Sequence, residues 1–449
     1  MNKPIIILGG GPTGLATAYK LAEIGKPFIL IEKEKYLGGL SATLKHKNHL
    51  YEFGPHAFHL KDPKIIAFVK NLLKNEYRII PTKTEVLIEG NLLEYPLKAS
   101  ELIRKINPIM GGKIMGGYIF AYIKKILHRR EPRNFQEWGL NNFGKTLYKM
   151  SFGDYTQKVW GINPSQLSAR LAKDKLSRLN LGDIIVKLFG LKGMTQPVYF
   201  KKYLYPKQGA SRIFELMTKE IEKKGQICLQ TEVVKINCQE NNITSVTIID
   251  EKGKKKILDC QNVVSTLTLR DLVPMFNNCV RKDVIAGAKE LKYRNLIIVY
   301  VVTDNLSLTN SQWIYLVENK FIFNRVTCGK NLSPAFSPEG KNVLAFEICC
   351  QKGDKIWQKS DIELVELVKK DLHKLWGEVK ISSNFVAKIS NAYPIYLVGF
   401  EKNLDQVLAG LKNINNLIST GRNGLFLNSD IHDCFKMGFE VAEKIAKVQ

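Results

Sequence analysis

Four consecutive apolar residues, Ile5–Leu8, open the chain, and a glycine-rich turn follows. An unbroken apolar run of this length predicts a strand buried on both faces. Leu15, Ala18, Leu21 and Ala22 then recur at helical spacing, and Phe28 to Ile31 repeat the apolar run before Glu32. The order is strand, turn, helix, strand. Helical patterns dominate residues 76–200, with one hairpin where Thr84–Ile88 and Asn91–Glu94 flank Glu89-Gly90. Residues 203–270 return to mixed elements. A helix is expected over Gly209–Lys224, and strands over Ile227–Leu229 and Val233–Asn237. A second hairpin, VTIID and KKILDC, turns at Lys252-Gly253, and Asn262–Ser265 forms another buried strand. The runs LIIVYVV, WIYLV and NVLAFEIC between 291 and 350 read as a half-exposed sheet. Tyr199, Tyr203 and Tyr205 read as a strand edge entering the first domain. Residues 361–376 form an amphipathic helix.

The first turn carries chemistry. Gly9, Gly11 and Gly14 stand at G-x-G-x-x-G spacing. Gly9 permits the tight turn, Gly11 lets backbone approach a pyrophosphate, and Gly14 lets helix pack on strand. The helix start offers free N–H groups to phosphate. Glu32 lies 21 residues past Gly11, where a carboxylate can hold ribose hydroxyls. A second pair, Gly38-Gly39, follows within KEKYLGGLSAT. Near the other end, NLISTGRNG at Asn416–Gly424 is a short strand running into a small-residue turn. Cys434, Met437, Gly438, Val441, Ala442 and Ile445 then predict a helix. Two ligand-facing turns at opposite ends of one chain suit one long dinucleotide, so FAD is expected rather than NAD.

The predicted fold class is therefore α/β. It has a Rossmann-like FAD-binding domain, assembled discontinuously from 1–75, 203–290 and 385–449. Residues 76–202 and 291–384 form a helical and antiparallel-sheet cap, and the site is expected between the two.

Composition narrows the class. With 449 residues and 45% apolar content, the chain reads as an ordinary globular protein of more than one domain. A cofactor strand at residue 4 leaves no room for an export signal, and the longest apolar run, Ile114–Ile123, is half a bilayer span. The expectation is a cytoplasmic protein with reduced, mostly buried thiols. The eight cysteines contain no C-x-x-C pair, and no cysteine lies near His56-x-x-His59, so no metal is expected. Net charge is +25, most simply a solvated lysine excess, and no nucleic-acid partner is expected. One segment, 98–133, holds nine Lys or Arg against two Glu among Ile, Tyr and Phe. Two readings fit it: an amphipathic face for peripheral contact with an anionic membrane, or a helix pair packed on the domain.

Gly9–Gly14, Glu32, Gly38-Gly39, TEVVKI (Thr231–Ile236), NVVST (Asn262–Thr266) and STGRNG (Ser419–Gly424) together resemble the FAD-binding blocks of the amine oxidase and protoporphyrinogen oxidase superfamily. That resemblance implies a cofactor site built from Gly9, Gly11, Pro12, Thr13, Gly14, Glu32, Lys33, Gly38, Gly39 and Leu40. Val233 would meet adenine, Gly421 and Arg422 would line the FAD, and Asp430, Ile431 and His432 would lie near the flavin pyrimidine edge. FGPHAFH (Phe53–His59), GNLLEYPL (Gly90–Leu97), the stretch Asn134–Ala169 with its YTQKVWG, and FNRV (Phe323–Val326) are similar to blocks of UDP-galactopyranose mutases. They also match a set of protoporphyrinogen-oxidase-like proteins linked to surface-polysaccharide synthesis. By that likeness Tyr155 would stack on uracil, Trp160 would sit beside the sugar, Arg325 would bind the diphosphate and His56 would lie over the flavin. The chain departs from the mutases at Asn428 and Ser429, where they carry tyrosines. Their second phosphate-binding arginine has only Arg170 and Arg178 as candidates.

Each of these residues has a plainer reading. Arg325 is either a diphosphate clamp or a surface salt-bridge arginine, because one fork serves both. His56 is either a flavin neighbour or a buried structural histidine. Tyr155 and Trp160, five apart, either face a ligand or belong to the core. The expected function is a FAD-dependent oxidoreductase acting on a small-molecule substrate, a nucleotide- or lipid-linked precursor of surface glycans. The alternatives are a redox-neutral UDP-galactopyranose mutase-like isomerase and a non-enzymatic flavin-binding partner in a glycan-synthesis complex.

Overall fold

The computed structural model describes residues 3–95, 108–127, 130–176, 202–276 and 279–447. Its first sheet is wholly parallel, with strand order 226–228, 28–31, 5–8, 262–265 and 417–419. Ile5–Leu8 sits in the middle and is buried on both faces, as the unbroken apolar run requires. Strands distant in sequence become neighbours in this one sheet. The helix Pro12–Glu23 leaves the central strand with proline at its first position. It stops at Gly25 (φ +69°), whose N–H donates to the carbonyl of Ala22 while Lys26 N–H reaches Leu21.

That helix packs against the last long helix, Ile431–Lys447. The crossing is close because a Cβ at Gly438 would lie 2.5 Å from the Thr13 carbonyl and 2.6 Å from Ala16 Cβ. The Thr17 hydroxyl donates to the Gly438 carbonyl at 3.2 Å. The two ends of the chain are thus joined through bare backbone.

The second large sheet has seven strands, in the order 381–394, 293–303, 342–350, 325–328, 313–316, 84–88 and 91–95. All pairings are antiparallel except 313–316 with 84–88. Its hairpin turns at Glu89 (φ +49°) and Gly90 (φ +76°), a primed turn as the Glu-Gly pair predicts. Strand Ile381–Pro394 begins before the expected boundary at 385 and edges this sheet. The meander 232–239, 242–249 and 255–259 matches the second predicted hairpin.

Two expectations are corrected. The sheet around Tyr293–Thr303 is not half-exposed, since every residue of that strand is buried. Ile297, Val299 and Val301 meet the helix Asp361–Trp376, while Leu296, Ile298 and Tyr300 meet Tyr51 and Phe53. Both faces are covered, so the strand is apolar throughout. Nor do Tyr203 and Tyr205 mark a sheet edge. Their strand, Lys202–Pro206, is the middle one of three, between 58–59 and 77–81, and both tyrosines are buried. Tyr199 lies outside the described residues. All eight cysteines are free, four of them buried.

Replacing Gly438 with alanine forces a methyl group into the backbone of the first helix. Overpacking of this kind costs about 1–3 kcal/mol. Equilibrium unfolding of Gly438→Ala should show that loss, and wild-type stability would refute the close crossing.

Candidate active site

The glycine-rich turn is the meeting point of three segments far apart in sequence. Gly9 takes φ +100°, and a Cβ at Gly14 would lie 2.0 Å from the Gly9 carbonyl oxygen, so only glycine closes this turn. Glu32, 8% exposed, accepts from Gly10 N–H at 2.7 Å and from Glu34 N–H at 2.9 Å. Burial raises its pKa against those two hydrogen bonds. A Cβ on Gly39 would lie 3.3 Å from Gly11 Cα, and one on Gly421 would lie 2.8 Å from the Thr13 hydroxyl. Thr231 N–H donates to the Glu32 carbonyl, which brings the Val233 strand to the same corner. Leu40 leads from the Gly38-Gly39 turn toward the seven-stranded sheet, while Lys33 is exposed.

This corner fits a dinucleotide. The helix start at Gly11 has no side-chain cap, and nothing lies within 4 Å of the point where a Gly11 side chain would begin. Buried polar atoms without hydrogen-bond partners among the described residues lie along residues 422–432. They are Arg422 Nε, Asn423 Oδ1, both amide atoms of Asn428 and Nδ1 of His432. Orphaned atoms of this kind call for a ligand or water.

At the other end of the site, four candidate residues gather around one ion pair. Arg325 and Glu347 stand directly opposite each other on adjacent strands. Glu347 accepts from Nε at 2.7 Å and from Nη2 at 2.8 Å. Glu347 is buried and Arg325 half-buried, with side-chain exposures of 1% and 18%. Arg325 is therefore not a surface arginine. Burial alone would lower its pKa, but Glu347 overrides that and holds it raised. Gly54 (φ +108°) lets the chain pass: a Cβ there would lie 3.0 Å from Arg325 Nη2.

The Gly54 turn delivers His56. Burial, then the positive charges of Arg422 and Arg325, push its pKa down to about 3. Its imidazole is neutral, and Nδ1 makes no hydrogen bond to a described residue. Behind it, Glu52 is buried and accepts from the Thr43 hydroxyl (2.6 Å) and Ala210 N–H (2.9 Å). Arg422 donates to the carbonyls of Ala392 (2.8 Å) and Ser429 (3.2 Å), and its guanidinium lies over the Tyr393 ring at 5.2 Å.

Tyr155 and Trp160 lie on one short helix, Asp154–Trp160. Trp160 meets Tyr393 edge-on at 6.2 Å, and Tyr155 meets Tyr315 in the same way at 6.2 Å. Burial raises the Tyr155 phenol, so it stays protonated. The helix ends at Gly161 (φ +66°), where any Cβ would strike the guanidinium of Arg294 at 2.4 Å. Arg294 in turn donates to the carbonyls of Val159 and Cys349, both at 2.8 Å, tying this helix to the strand that bears Glu347.

Glu347, Arg294 and Tyr393 escaped the sequence reading. A lone glutamate inside NVLAFEIC was the available signal, because a buried carboxylate requires a partner. Asp430, His432 and Asp433 place their ligand atoms within 4.8 Å of one another, a grouping that His-x-x-His spacing did not suggest. The Lys61 ammonium stands 3.3 Å from Asp433 and 3.8 Å from Asp430 and supplies a cation there. Arg170 lies over the rings of Tyr396 and Phe400, and Arg178 is outside the described residues.

The histidines have a consequence for acid stability. His432 is also depressed, to about 4, by burial. An unfolded chain binds protons at these positions near the ordinary histidine pKa, and the folded chain does not. Stability therefore falls as pH drops below about 6.5, and each histidine costs up to about 2 kcal/mol by pH ~5. His56→Gln should lose less stability than wild type between neutral pH and that point. Parallel losses in denaturant unfolding would show that His56 titrates normally.

Comparison with known proteins places this architecture. The family model described as flavin containing amine oxidoreductase matches residues 12–446. The chain is 25% identical over 456 residues to protoporphyrinogen oxidase 1, chloroplastic, of Arabidopsis thaliana, covering 95% of this chain and 83% of that protein. It is 28% identical over 190 residues to the Klebsiella pneumoniae protein named Probable UDP-galactopyranose mutase. That match covers 40% of this chain and 47% of the relative, so the likeness spans about half of the mutase. A crystal structure of reduced UDP-galactopyranose mutase shares the fold, with a TM-score of 0.86 at 20% identity over 100% of this chain and 96% of that one. A family match running from the first helix to the last makes this chain a member of the flavin-containing amine oxidoreductases, a flavin-dependent enzyme whose cofactor is FAD.

Proposed function

We propose that this protein is a FAD-dependent oxidoreductase acting on a nucleotide- or lipid-linked precursor in surface-glycan synthesis. The observation that carries this over a mutase reading is the Arg325–Glu347 pair. Expelling a nucleoside diphosphate puts negative charge on phosphate oxygen, and that calls for uncompensated cations beside it. Here the Arg325 fork is closed on Glu347, leaving Nη1 outside the pair. Arg422 keeps its charge, but its two terminal nitrogens are turned to backbone carbonyls rather than outward. Asn428 and Ser429 stand where the mutases carry tyrosines. The alignment with an oxidase over 95% of this chain supports the same choice.

Bound FAD supplies the reactive ring, accepting hydride when oxidised and acting as nucleophile when reduced. The chain's own residues hold and orient. On this reading 1–75, 203–290 and 385–449 carry the cofactor, and 76–202 and 291–384 cover the substrate. The amides of Thr13 and Gly14 hold the diphosphate, Glu32 the ribose and Val233 the adenine. Residues 421–422 and 430–432 face the isoalloxazine. Neutral His56 offers a hydrogen bond without charge, and Tyr155 and Trp160 wall the substrate side. The enzyme works in the cytoplasm, close to the membrane face where such precursors are made.

The mutase reading keeps one specific support. Tyr155, Trp160, Tyr315 and Tyr393 surround the Arg325 pair, an aromatic enclosure suited to a sugar nucleotide.

Dithionite-reduced enzyme incubated with UDP-galactopyranose should yield no furanose isomer by chromatography. Glu347→Gln, which uncovers the guanidinium charge, should tighten UDP binding about tenfold, and Arg325→Gln combined with Glu347→Gln should leave UDP affinity unchanged. Furanose product, or weakened UDP binding in that double variant, would transfer the assignment to the mutase.

A further inference from the structure

The helix Pro108–Leu127 is apolar on the side that faces away from the protein. One stripe, Ile114, Gly117, Tyr118 and Ala121, turns inward at i, i+3, i+4 and i+7 spacing. It packs on the helix Phe135–Tyr148, and the approach is close: a Cβ at Gly144 would lie 2.3 Å from the Gly117 carbonyl. A surface helix built this way carries polar residues on its outer side. Here the outer side carries Ile119, Phe120, Tyr122, Ile123, Ile126 and Leu127, all exposed, Phe120 at 70% and Leu127 at 71%. At 100° per residue these positions centre opposite the buried stripe. Ile109 on the same helix is exposed as well, and the other large exposed apolar residues stand singly along the sequence.

Charge indicates what covers this face. The helix contains no Asp or Glu, while Lys113 and Lys124 border the apolar face along one side and Lys125 follows. The chain as a whole carries +25. A second copy of so basic a protein is repelled, and an anionic surface is attracted. A continuous apolar face edged by lysines matches the interfacial layer of a bilayer with anionic headgroups. No helix among the described residues is long and apolar enough to cross a membrane. The inner stripe is held by the neighbouring helix, so this element lies in the plane of the surface.

We infer that the outer face of helix Pro108–Leu127 docks the enzyme on an anionic lipid bilayer, with Phe120, Ile123 and Leu127 inserted among the headgroups and Lys113 and Lys124 against lipid phosphates. This rests on the surface alone and stands whichever substrate the flavin site takes.

The test is co-sedimentation of the purified flavoprotein with vesicles of equimolar phosphatidylcholine and phosphatidylglycerol, beside vesicles of phosphatidylcholine alone. Wild type should pellet with the anionic vesicles, less so at high salt, and remain in solution with the neutral ones. The triple variant Phe120→Ser, Ile123→Ser, Leu127→Ser should lose about tenfold in partitioning, and Lys113→Gln with Lys124→Gln should weaken binding to the anionic vesicles. Unchanged flavin absorbance and melting temperature show that the variants are folded, since all five side chains are exposed. No pelleting, equal pelleting with both vesicle types, or a triple variant that binds like wild type would overturn the inference. So would a wild-type dimer that the triple variant dissolves, which would assign the face to a second copy.

Discussion

The whole molecule depends on backbone meeting backbone at the start of the first helix. Gly14 lies against the carbonyl of Gly9, Gly39 against Gly11 and Gly438 against the carbonyl of Thr13, while Gly421 leaves room for the Thr13 side chain. A β-carbon at any of these points would push apart segments separated by up to about four hundred residues. With side chains excluded, the free N–H groups of the helix and the open space over Gly11 remain available to a diphosphate. The fold brings its two ends together to make that place, and everything between them is hung from it.

From there the site extends along the long strands of the seven-stranded sheet. Strand register sets Arg325 opposite Glu347, Gly54 passes beside the pair, and Arg294 holds the Trp160 helix to the strand that carries Glu347. Arg325 is neutralised in place, His56 is kept uncharged by burial and two arginines, and Arg422 brings a positive charge beside the aromatic rings.

Local signals read well from sequence alone. The G-x-G-x-x-G turn, Glu32, the Glu89-Gly90 and Lys252-Gly253 hairpins and the final helix each depend on residues within a short span, where glycine placement and hydrophobic period act directly. What could not be read depends on distant partners. Nothing near Arg325 announces Glu347, 22 residues on, because strand pairing creates the contact. The sheet around Tyr293–Thr303 looked half-exposed because alternation does not reveal that both faces are covered. The grouping of Lys61 with Asp430 and Asp433 unites the two ends of the chain and leaves no local pattern. The basic, apolar segment 98–133 leaves two readings open; 98–107 and 128–129 lie outside the described residues, and the helix Pro108–Leu127 between them packs on the helix Phe135–Tyr148 and is exposed on its outer side.

The most direct test of the cofactor seat uses Gly11→Val. Gly11 has extended backbone (φ −74°, ψ −179°) and free space where its side chain would start, so the protein should accept valine without strain. If the diphosphate of FAD lies over this residue, the purified variant will show wild-type circular dichroism yet be colourless, and it will not recover flavin absorbance on incubation with FAD. A folded Gly11→Val protein that is yellow, with flavin content equal to wild type, would contradict the account.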